Sequence, residues 1–507
     1  MKKKSFKRTL AISIAVLLTG TLVLTGCGGG AAEKGADANQ TYDPNSALSL
    51  TWLNILHTAS PPTDVIQKKI EEYTNTKVTF NWVPDASKEE RITTALASGQ
   101  LADIVTLTLL DNSSVRSSLK SGLFWDVSPY LDDYEHLKEI PQEVRKAASI
   151  GGGLYGVPFQ KDLARGGLVI RKDWLDRLGL KVPTTLDELY EVARAFTEDD
   201  PDGNGKDDTV GFGDRSDLRY SSFKTISSYF GAPNGWKVDE QGKFTPEFDT
   251  PEYMEALNYS RKLYENGYLI QDFAVTAKSD QQQQFAQGKT GIYTGMIDIA
   301  NLKNLAKGIQ DGMQVVPVNK ISKGDGQYHI WSEGNGVGGL LAFPKSEVKT
   351  EAELKRLLQF VDDLIDEEVY MYMTGGIEGV HYEFDGNEAF KKLDQDKWQA
   401  DVQPFSSSRP SEVTYSLKDA DPDKDLANQL VKENAEFAVL DPSVPLDSAT
   451  ANEKGTELDK IITDATIMYI MGQIDENGFK QAVQNWKNAG GGQIISEYEA
   501  AYKSSNP

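Results

Sequence analysis

The sequence predicts an α/β protein made of two lobes that are joined by a connector. Its 507 residues exceed what one ordinary hydrophobic core organises. Short apolar strand patterns alternate with helix patterns along the first half, which is typical of a largely parallel sheet covered by helices. A polar run, Gln160 to Arg165, lies between two apolar segments, and we interpret it as a connector between the lobes.

Residues 1–27 have the pattern of a secretory leader. A basic segment, Lys2 to Arg8, precedes an apolar segment, Leu10 to Leu24, that is short for a membrane span. Cys27, the only cysteine, ends the run Leu-Thr-Gly-Cys, which resembles a lipobox. Two acyl chains on Cys27 would anchor the protein to the membrane stably. The alternative is an ordinary leader that leaves a free thiol.

The composition limits the possible partners. A single cysteine excludes internal disulfides and thiolate metal clusters. With 76 acidic and 53 basic residues the net charge is −23, which repels phosphate backbones and anionic lipid. We therefore expect no nucleic-acid partner, and membrane contact only through the lipid anchor.

After a flexible tether, residues 28–46, the first strands and helices begin near Leu48. Predicted strands and helices alternate here, at Leu48 to Leu53, Asp64 to Tyr73, Val78 to Val83, Lys88 to Ser98 and Asp103 to Leu110. Ligands of such sheets bind beyond the carboxyl ends of the strands. His57, Asp111 and Asn112 follow two of these strands and are candidate ligand contacts. A helix-entry contact for His57 and turn chemistry for the other two are the alternatives.

The crossover and the segments after it resemble the family 1 extracellular solute-binding proteins, receptors of carbohydrate ABC importers. The matching segments are Gly153 to Pro158 (GLYGVP), Val169 to Leu180 (VIRKDWLDRLGL) and Val182 to Leu189 (VPTTLDEL). The resemblance continues through Phe285 to Lys289 and through Asp464 to Tyr502, and it favours the large oligosaccharide-binding lipoprotein branch. It implies a type II periplasmic-binding-protein-like fold with helical C-terminal additions.

This resemblance also implies a monomeric, lipid-anchored receptor on the extracytoplasmic face of the membrane, which delivers an oligosaccharide to ABC permease subunits. We expect crossings near Gln160 to Arg165, Thr294, and His329 to Gly334. Lobe 1 would then comprise residues 47–163 and 294–329, and lobe 2 would comprise residues 164–293 and 330–507.

Residues 200–208 have the spacing of a calcium loop. Oxygen donors occupy positions one, three, five and nine, a carbonyl is available at seven, and Gly205 provides the tight turn at six. The candidate ligands are Asp200, Asp202, Asn204, Lys206 and Asp208. Position twelve is Gly211 instead of the usual glutamate, so another group must complete the shell. We expect a structural Ca²⁺; the alternative is an acidic turn without metal.

A sugar pocket needs aromatic rings for the faces of the sugar and polar groups for its hydroxyls. Trp236 and Trp331 lie beside glycine-containing loops with polar neighbours, which favours exposure to a cleft. Asp298 and Glu333 are the further candidate hydroxyl acceptors. No nucleophile elbow or HExxH motif is present, so we expect no catalytic residues. A secreted glycan hydrolase and a peptide-binding receptor remain the alternatives; turnover assays and a sugar-versus-peptide binding panel separate them.

Overall fold

A computed structural model describes residues 43, 46–108, 110, 112–218, 220–297 and 299–505. Its strands are β1 (Leu48–Leu56), β2 (Thr76–Pro84), β3 (Ile104–Leu107), β4 (Val157–Gln160), β5 (Gly166–Arg171), β6 (Val210–Phe212), β7 (Trp236–Val238), β8 (Phe244–Pro246), β9 (Thr290–Met296), β10 (Val315–Val318), β11 (Ile330–Trp331), β12 (Val337–Ala342), β13 (Tyr382–Phe384), β14 (Phe390–Lys392) and β15 (Ala438–Val439). Its α-helices are α1 (Asp64–Thr74), α2 (Lys88–Ser98), α3 (Ser113–Lys120), α4 (Gln142–Ala148), α5 (Lys172–Leu178), α6 (Leu186–Glu198), α7 (Ser222–Tyr229), α8 (Pro251–Glu265), α9 (Lys278–Ala286), α10 (Ile299–Ala306), α11 (Glu351–Asp363), α12 (Glu367–Thr374), α13 (Gln395–Asp401), α14 (Gln403–Ser406), α15 (Pro422–Glu433), α16 (Ala449–Ile470), α17 (Glu476–Trp486) and α18 (Gly492–Ser505).

Two separate sheets define the two lobes. The first sheet has the strand order β2-β1-β3-β12-β4, and the second has the order β10-β5-β9-β6. In the first sheet β1 is parallel to β2 and β3, whereas β12 is antiparallel to both of its neighbours. In the second, only the pair β6 and β9 is parallel. The expectation of a largely parallel sheet therefore holds for β1 with β2 and β3, but not for the whole first sheet, because β12 joins it in the opposite direction.

Each sheet has its own hydrophobic core. The first core contains residues from 50–159 together with residues from 340–405, including the buried Trp52 and Phe360. The second contains Trp174 and Phe196, which pack edge to face at 5.2 Å, and later residues up to Ile494. Burying one such side chain contributes about 1.5–3 kcal/mol, so each lobe has the apolar interior to fold around its own sheet. Within the described residues, no helix is both long and apolar enough to cross a membrane.

The lobe boundaries differ from those expected for the second half of the chain. Residue Thr294 lies inside β9, in the middle of the second sheet, and β10 pairs with β5, so the described residues of 294–329 belong to the second lobe. Residues 337–405 belong to the first lobe, because β12 inserts between β3 and β4. The chain crosses between Gln160 and Gly166, between Trp331 and Val337, and again between Phe405 and Pro422. Strand pairing between distant segments decides these positions, and local patterns do not contain it.

Local capping follows the sequence closely. Thr350 accepts a hydrogen bond from the Glu353 amide, and the Glu353 carboxylate accepts from the Thr350 amide, which completes the capping box of α11. At α6 the Thr185 hydroxyl caps the Glu188 amide, but the Glu188 carboxylate accepts from Thr184 instead. Gly179 ends α5 in the left-handed conformation, where glycine carries no Cβ penalty.

Candidate ligand-binding cleft

A cleft of about 1270 Å³ lies between the two lobes, next to the crossings. The first lobe contributes the loops after β1 and β3 and the end of β4, as expected for a site beyond the carboxyl ends of strands. The second lobe contributes the loops around α7, β7 and β11, and residues after β15. The volume exceeds the usual range for a drug-sized ligand, so the cleft has room for several sugar rings.

An ion-pair cluster lies where the chain crosses between lobes. Arg165, at the end of the first crossing, pairs with Glu333, at the start of the second. The Tyr220 hydroxyl donates to the other oxygen of Glu333. Burial acts to raise the pKa of Glu333, but the Arg165 charge and the Tyr220 hydrogen bond outweigh it, so the pKa is lowered. Glu333 is therefore ionised, and protein donors already bind both of its oxygens.

The two candidate tryptophans differ in exposure. Trp236 is half-buried, borders the cleft and packs edge to face on Tyr498 at 5.1 Å. Trp331 borders the cleft too, but only 3 % of its surface is exposed. Its ring packs against Tyr220 at 5.6 Å and belongs to the second core. The expected exposure of Trp331 is wrong because the ring packs into the second lobe, where its Nε1 also donates to the Thr225 hydroxyl.

The first-lobe candidates line the cleft where the structure describes them. His57 is half-exposed, with Nδ1 3.5 Å from the Asp85 carboxylate. Burial lowers the pKa of His57, and Asp85 offsets only part of this shift, so the ring is neutral near pH 7. Asn112 caps α3: its Oδ1 accepts from the Ser114 and Val115 amides, which supports the turn-chemistry alternative for that oxygen. Asp111 and Asp298 lie outside the described residues, as does Cys27.

One segment, Ala438 to Ser448, lines the cleft and contacts both lobes, and we call it the bridging segment. It starts at β15 on the second lobe, and Asp441 exchanges two hydrogen bonds with Asn335 of the second crossing. At its other end Asp447 contacts Arg116 and Lys120 of α3 on the first lobe. Burial raises the pKa of Asp441 to about 6, although hydrogen bonds from Ser443 oppose the shift.

The candidate calcium loop is organised by hydrogen bonds of its own. The carboxylates of Asp200 and Asp202 accept from the Asn204 amide at 3.0 and 3.1 Å, and the Asn204 side chain donates to Asp208. Burial acts to raise the pKa of Asp200, but hydrogen bonds led by the Gly205 amide lower it. Across the described ranges, no three acidic, histidine or cysteine side chains converge closely enough to hold an ion.

The twelfth position of this loop has no space for a side chain. A Cβ on Gly211 would lie 2.6 Å from the Ala193 carbonyl oxygen, because β6 packs directly on α6. Oxygen donors from Asp200 to Asp208 are chemically suited to Ca²⁺, yet the bidentate glutamate of a standard loop is sterically excluded.

Several cleft residues escape recognition from sequence. Tyr220 and Asp441 line the cleft, but each lies in an irregular segment whose sequence carries no motif. Lys161 and Arg409 also line it. For Lys161 a signal existed: it is the second residue of the polar run Gln160 to Arg165, where a hinge places side chains beside the ligand.

A two-lobed α/β protein with crossings beside a large polar and aromatic cleft has the architecture of a receptor that encloses its ligand. Residues 59–369 match the family model described as bacterial extracellular solute-binding protein, and the chain belongs to this family. It is 47% identical to the polygalacturonan/rhamnogalacturonan-binding protein YtcQ of Bacillus subtilis, over 98% of both chains. It is 34% identical to the lipoprotein LipO of the same organism, over 86% of this chain and 88% of LipO.

The fold matches that of solved structures as well. The substrate-binding protein FusA of a Streptococcus pneumoniae ABC transporter, solved with kestose, superposes with a TM-score of 0.65 at 20% identity, covering 90% of this chain and 99% of FusA. An EF-hand mutant of FusA has been solved with fructo-nystose. These similarities establish the fold class: a two-lobed solute-binding protein.

Proposed function

We propose that this protein is the receptor of an ABC importer, that it captures an oligosaccharide between its lobes, and that the lobes close on the sugar without cleaving it. The observation that carries the proposal is the cleft at the crossings, which combines aromatic rings with hydrogen-bonding groups from both lobes. Sugars present hydroxyls at their edges and C–H groups on their faces, so they need this combination.

The ligand class follows from the relative that shares 47% of its residues over nearly the whole chain and is named for binding polygalacturonan and rhamnogalacturonan. We therefore place pectic oligosaccharides first among the ligands. Trp236 supplies an aromatic surface, and His57 and the Asn112 amide face the same cleft. Asp111 and Asp298 stay proposed hydroxyl acceptors. Trp331 and Glu333 also border the cleft, and we assign them the role of holding its wall in place instead of binding the sugar directly.

Closure needs flexible crossings, and the Arg165–Glu333 pair lies between two of them. A ligand shifts the balance between open and closed lobes only by its greater affinity for the closed form. Contacts from both lobes supply that difference. The closed, loaded form is then what the permease subunits recognise.

We further propose that Cys27 carries the lipid that holds the receptor at the extracytoplasmic face, as the name of LipO suggests for that relative. Residues 200–208 would hold a structural Ca²⁺ through Asp200, Asp202, Asn204, the Lys206 carbonyl and Asp208. An EF-hand in FusA supports this assignment. A bound ion would fix the turn between α6 and β6, remote from sugar chemistry.

The test combines calorimetry with small-angle scattering. Oligogalacturonates, rhamnogalacturonan oligomers and neutral maltooligosaccharides are titrated into the mature protein, and the radius of gyration is measured with and without each sugar. We expect binding of a pectic oligomer, a smaller radius in its presence and no cleavage products by chromatography. Absence of binding to every oligosaccharide, or binding without compaction, contradicts the proposal.

A further inference from the structure

We propose that Lys161 recognises a carboxylate of the bound sugar, so that the cleft selects a uronate over the same sugar with that carboxylate esterified. The inference rests on the proposed oligosaccharide function and deepens it. Lys161 is the side chain that binds the acid group.

The cations that line the cleft differ in whether a carboxylate of the protein neutralises them. The described lining contains five lysine and arginine side chains: Lys88, Arg116, Lys161, Lys224 and Arg409. Three are neutralised by carboxylates of the protein: Lys88 by Asp85, Arg116 by Asp447 and Lys224 by Glu247.

Lys161 and Arg409 differ from the other three. With the described residues, the Lys161 ammonium forms neither an ion pair nor a hydrogen bond; only its backbone amide is bonded, to the Gly336 carbonyl. Arg409 donates to the Ser406 carbonyl and the Thr374 hydroxyl, neither of which is charged. In a protein of net charge −23, unneutralised cations in a ligand cleft are positioned for a negative group of the ligand.

The Lys161 side chain occupies space that is free because residue 338 is a glycine. A Cβ on Gly338 would lie 2.4 Å from Lys161 Cε and 3.2 Å from its Nζ. Gly338 has no left-handed backbone conformation that requires glycine, so the missing side chain matters for space. The lysine therefore lies across the start of β12, at the second crossing.

The charged groups around Lys161 leave its ammonium group available to bind a carboxylate of the ligand. It acts on His57, whose pKa it helps to lower, and on Glu333, which Arg165 already neutralises. Glu412 lines the same cleft, and its charge helps to raise the pKa of Arg165, but it forms no ion pair with a described cation. A competing role for Lys161 is to balance Glu412, and the experiment separates the two roles.

The experiment compares trigalacturonate with its methyl ester, which keeps the rings, linkage and length but removes the charge. Calorimetry on the mature wild-type protein should give about 10- to 100-fold tighter binding of the acid, the range for a hydrogen bond to a charged group. Lys161→Met should reduce that ratio to near one. Lys237→Met, which removes the same charge from an exposed site outside the cleft, should leave the ratio unchanged.

Gly338→Ala gives a second, charge-neutral test. The new Cβ displaces the ammonium, so the acid-to-ester ratio should fall while the methyl ester binds as before. Equal binding of acid and ester by the wild type overturns the inference and leaves the oligosaccharide function standing. A Lys161→Met protein that weakens both ligands equally also overturns it, since it assigns Lys161 to balancing Glu412. If no oligosaccharide binds the wild type, the proposed function itself fails.

Discussion

The contact between Asp447 and α3 provides a direct test of lobe closure. Asp447 lies at the end of the bridging segment on the second lobe, and its carboxylate is 3.3 Å from Arg116 Nε and 2.6 Å from Lys120 Nζ on the first. Asp447→Asn keeps the shape of the side chain and removes its charge. We expect the variant to open more readily, because both ion pairs join the two lobes.

The solvent exposure of Lys120 and Arg116 determines how much free energy each ion pair with Asp447 contributes to holding the lobes together. The Lys120 side chain is 37% exposed, so solvent screens this pair and limits it to about 0.2–1 kcal/mol. The Arg116 side chain is 10% exposed, but the contact is long and Arg116 keeps its bond to the Leu446 carbonyl. We therefore assign this pair about 1–2 kcal/mol, around the lower end of the range of about 1.5–3 kcal/mol for hydrogen bonds to charged groups. A combined loss of about 1–3 kcal/mol changes the ratio of closed to open protein about 5- to 150-fold.

Scattering of the unliganded protein should therefore show a larger radius of gyration for Asp447→Asn, and calorimetry should show weaker binding of the same pectic oligomer. Asp464→Asn is the matched control, because its partner Lys460 lies one turn away on the same helix and joins no lobes. If the two variants have equal radii and affinities, the bridging segment does not hold the lobes together.

The pH response of this contact follows from the Asp447 carboxyl. Burial acts to raise its pKa, but hydrogen bonds from Lys120 and Asn452 and the charges of Lys120 and Arg116 lower it. Because the Asp447 pKa is lower in the folded protein, the ion pairs stabilise the contact at any pH above the ordinary pKa of an aspartate. This stabilisation is lost only as the pH falls through the lowered pKa of the folded state. The difference between wild type and Asp447→Asn should thus persist at pH 5.

Three further outcomes are expected. If residues 200–208 hold Ca²⁺, a chelator should lower the melting temperature, because at a hundredfold excess of ion over its dissociation constant the bound ion stabilises the fold by about 2.7 kcal/mol. Asp202→Ala should abolish that response, and equal melting temperatures with and without chelator contradict the site. Trp236→Ala should weaken sugar binding by about 1–3 kcal/mol and cost less stability than Trp331→Ala, because the Trp236 ring is only half-buried. Trp331→Ala should cost about 3–5 kcal/mol of stability; the reverse pattern would reassign the two rings. Burial raises the pKa of Asp214 to about 6, so its stabilising contribution is present at low pH and is lost as the pH rises through that value. In chemical denaturation, Asp214→Asn should therefore gain stability relative to wild type above pH 6. A stability difference that does not change with pH would contradict this.

Several elements were recognisable from the sequence because short-range physics determines them. The capping box at Thr350, the end of α5 at Gly179 and the polar crossover from Gln160 depend on residues within one helical turn or one loop. The spacing of oxygen donors in residues 200–208 is equally local. The order of matching segments along the chain was sufficient to indicate the family of solute-binding proteins, to which the chain belongs.

Only the tertiary structure decided how the second half of the chain is shared between the lobes. β12 is inserted between β3 and β4, more than 170 residues away in sequence, and β10 pairs with β5 rather than with the first sheet. The same holds for Trp331, whose glycine-containing surroundings favour exposure, whereas in the fold its ring packs against Tyr220 and is buried. Ion pairs such as Arg165 with Glu333 and Arg116 with Asp447 are also non-local. Backbone pairing and charge neutralisation act between groups that meet only after folding, and a local pattern carries no record of which distant partner a residue meets.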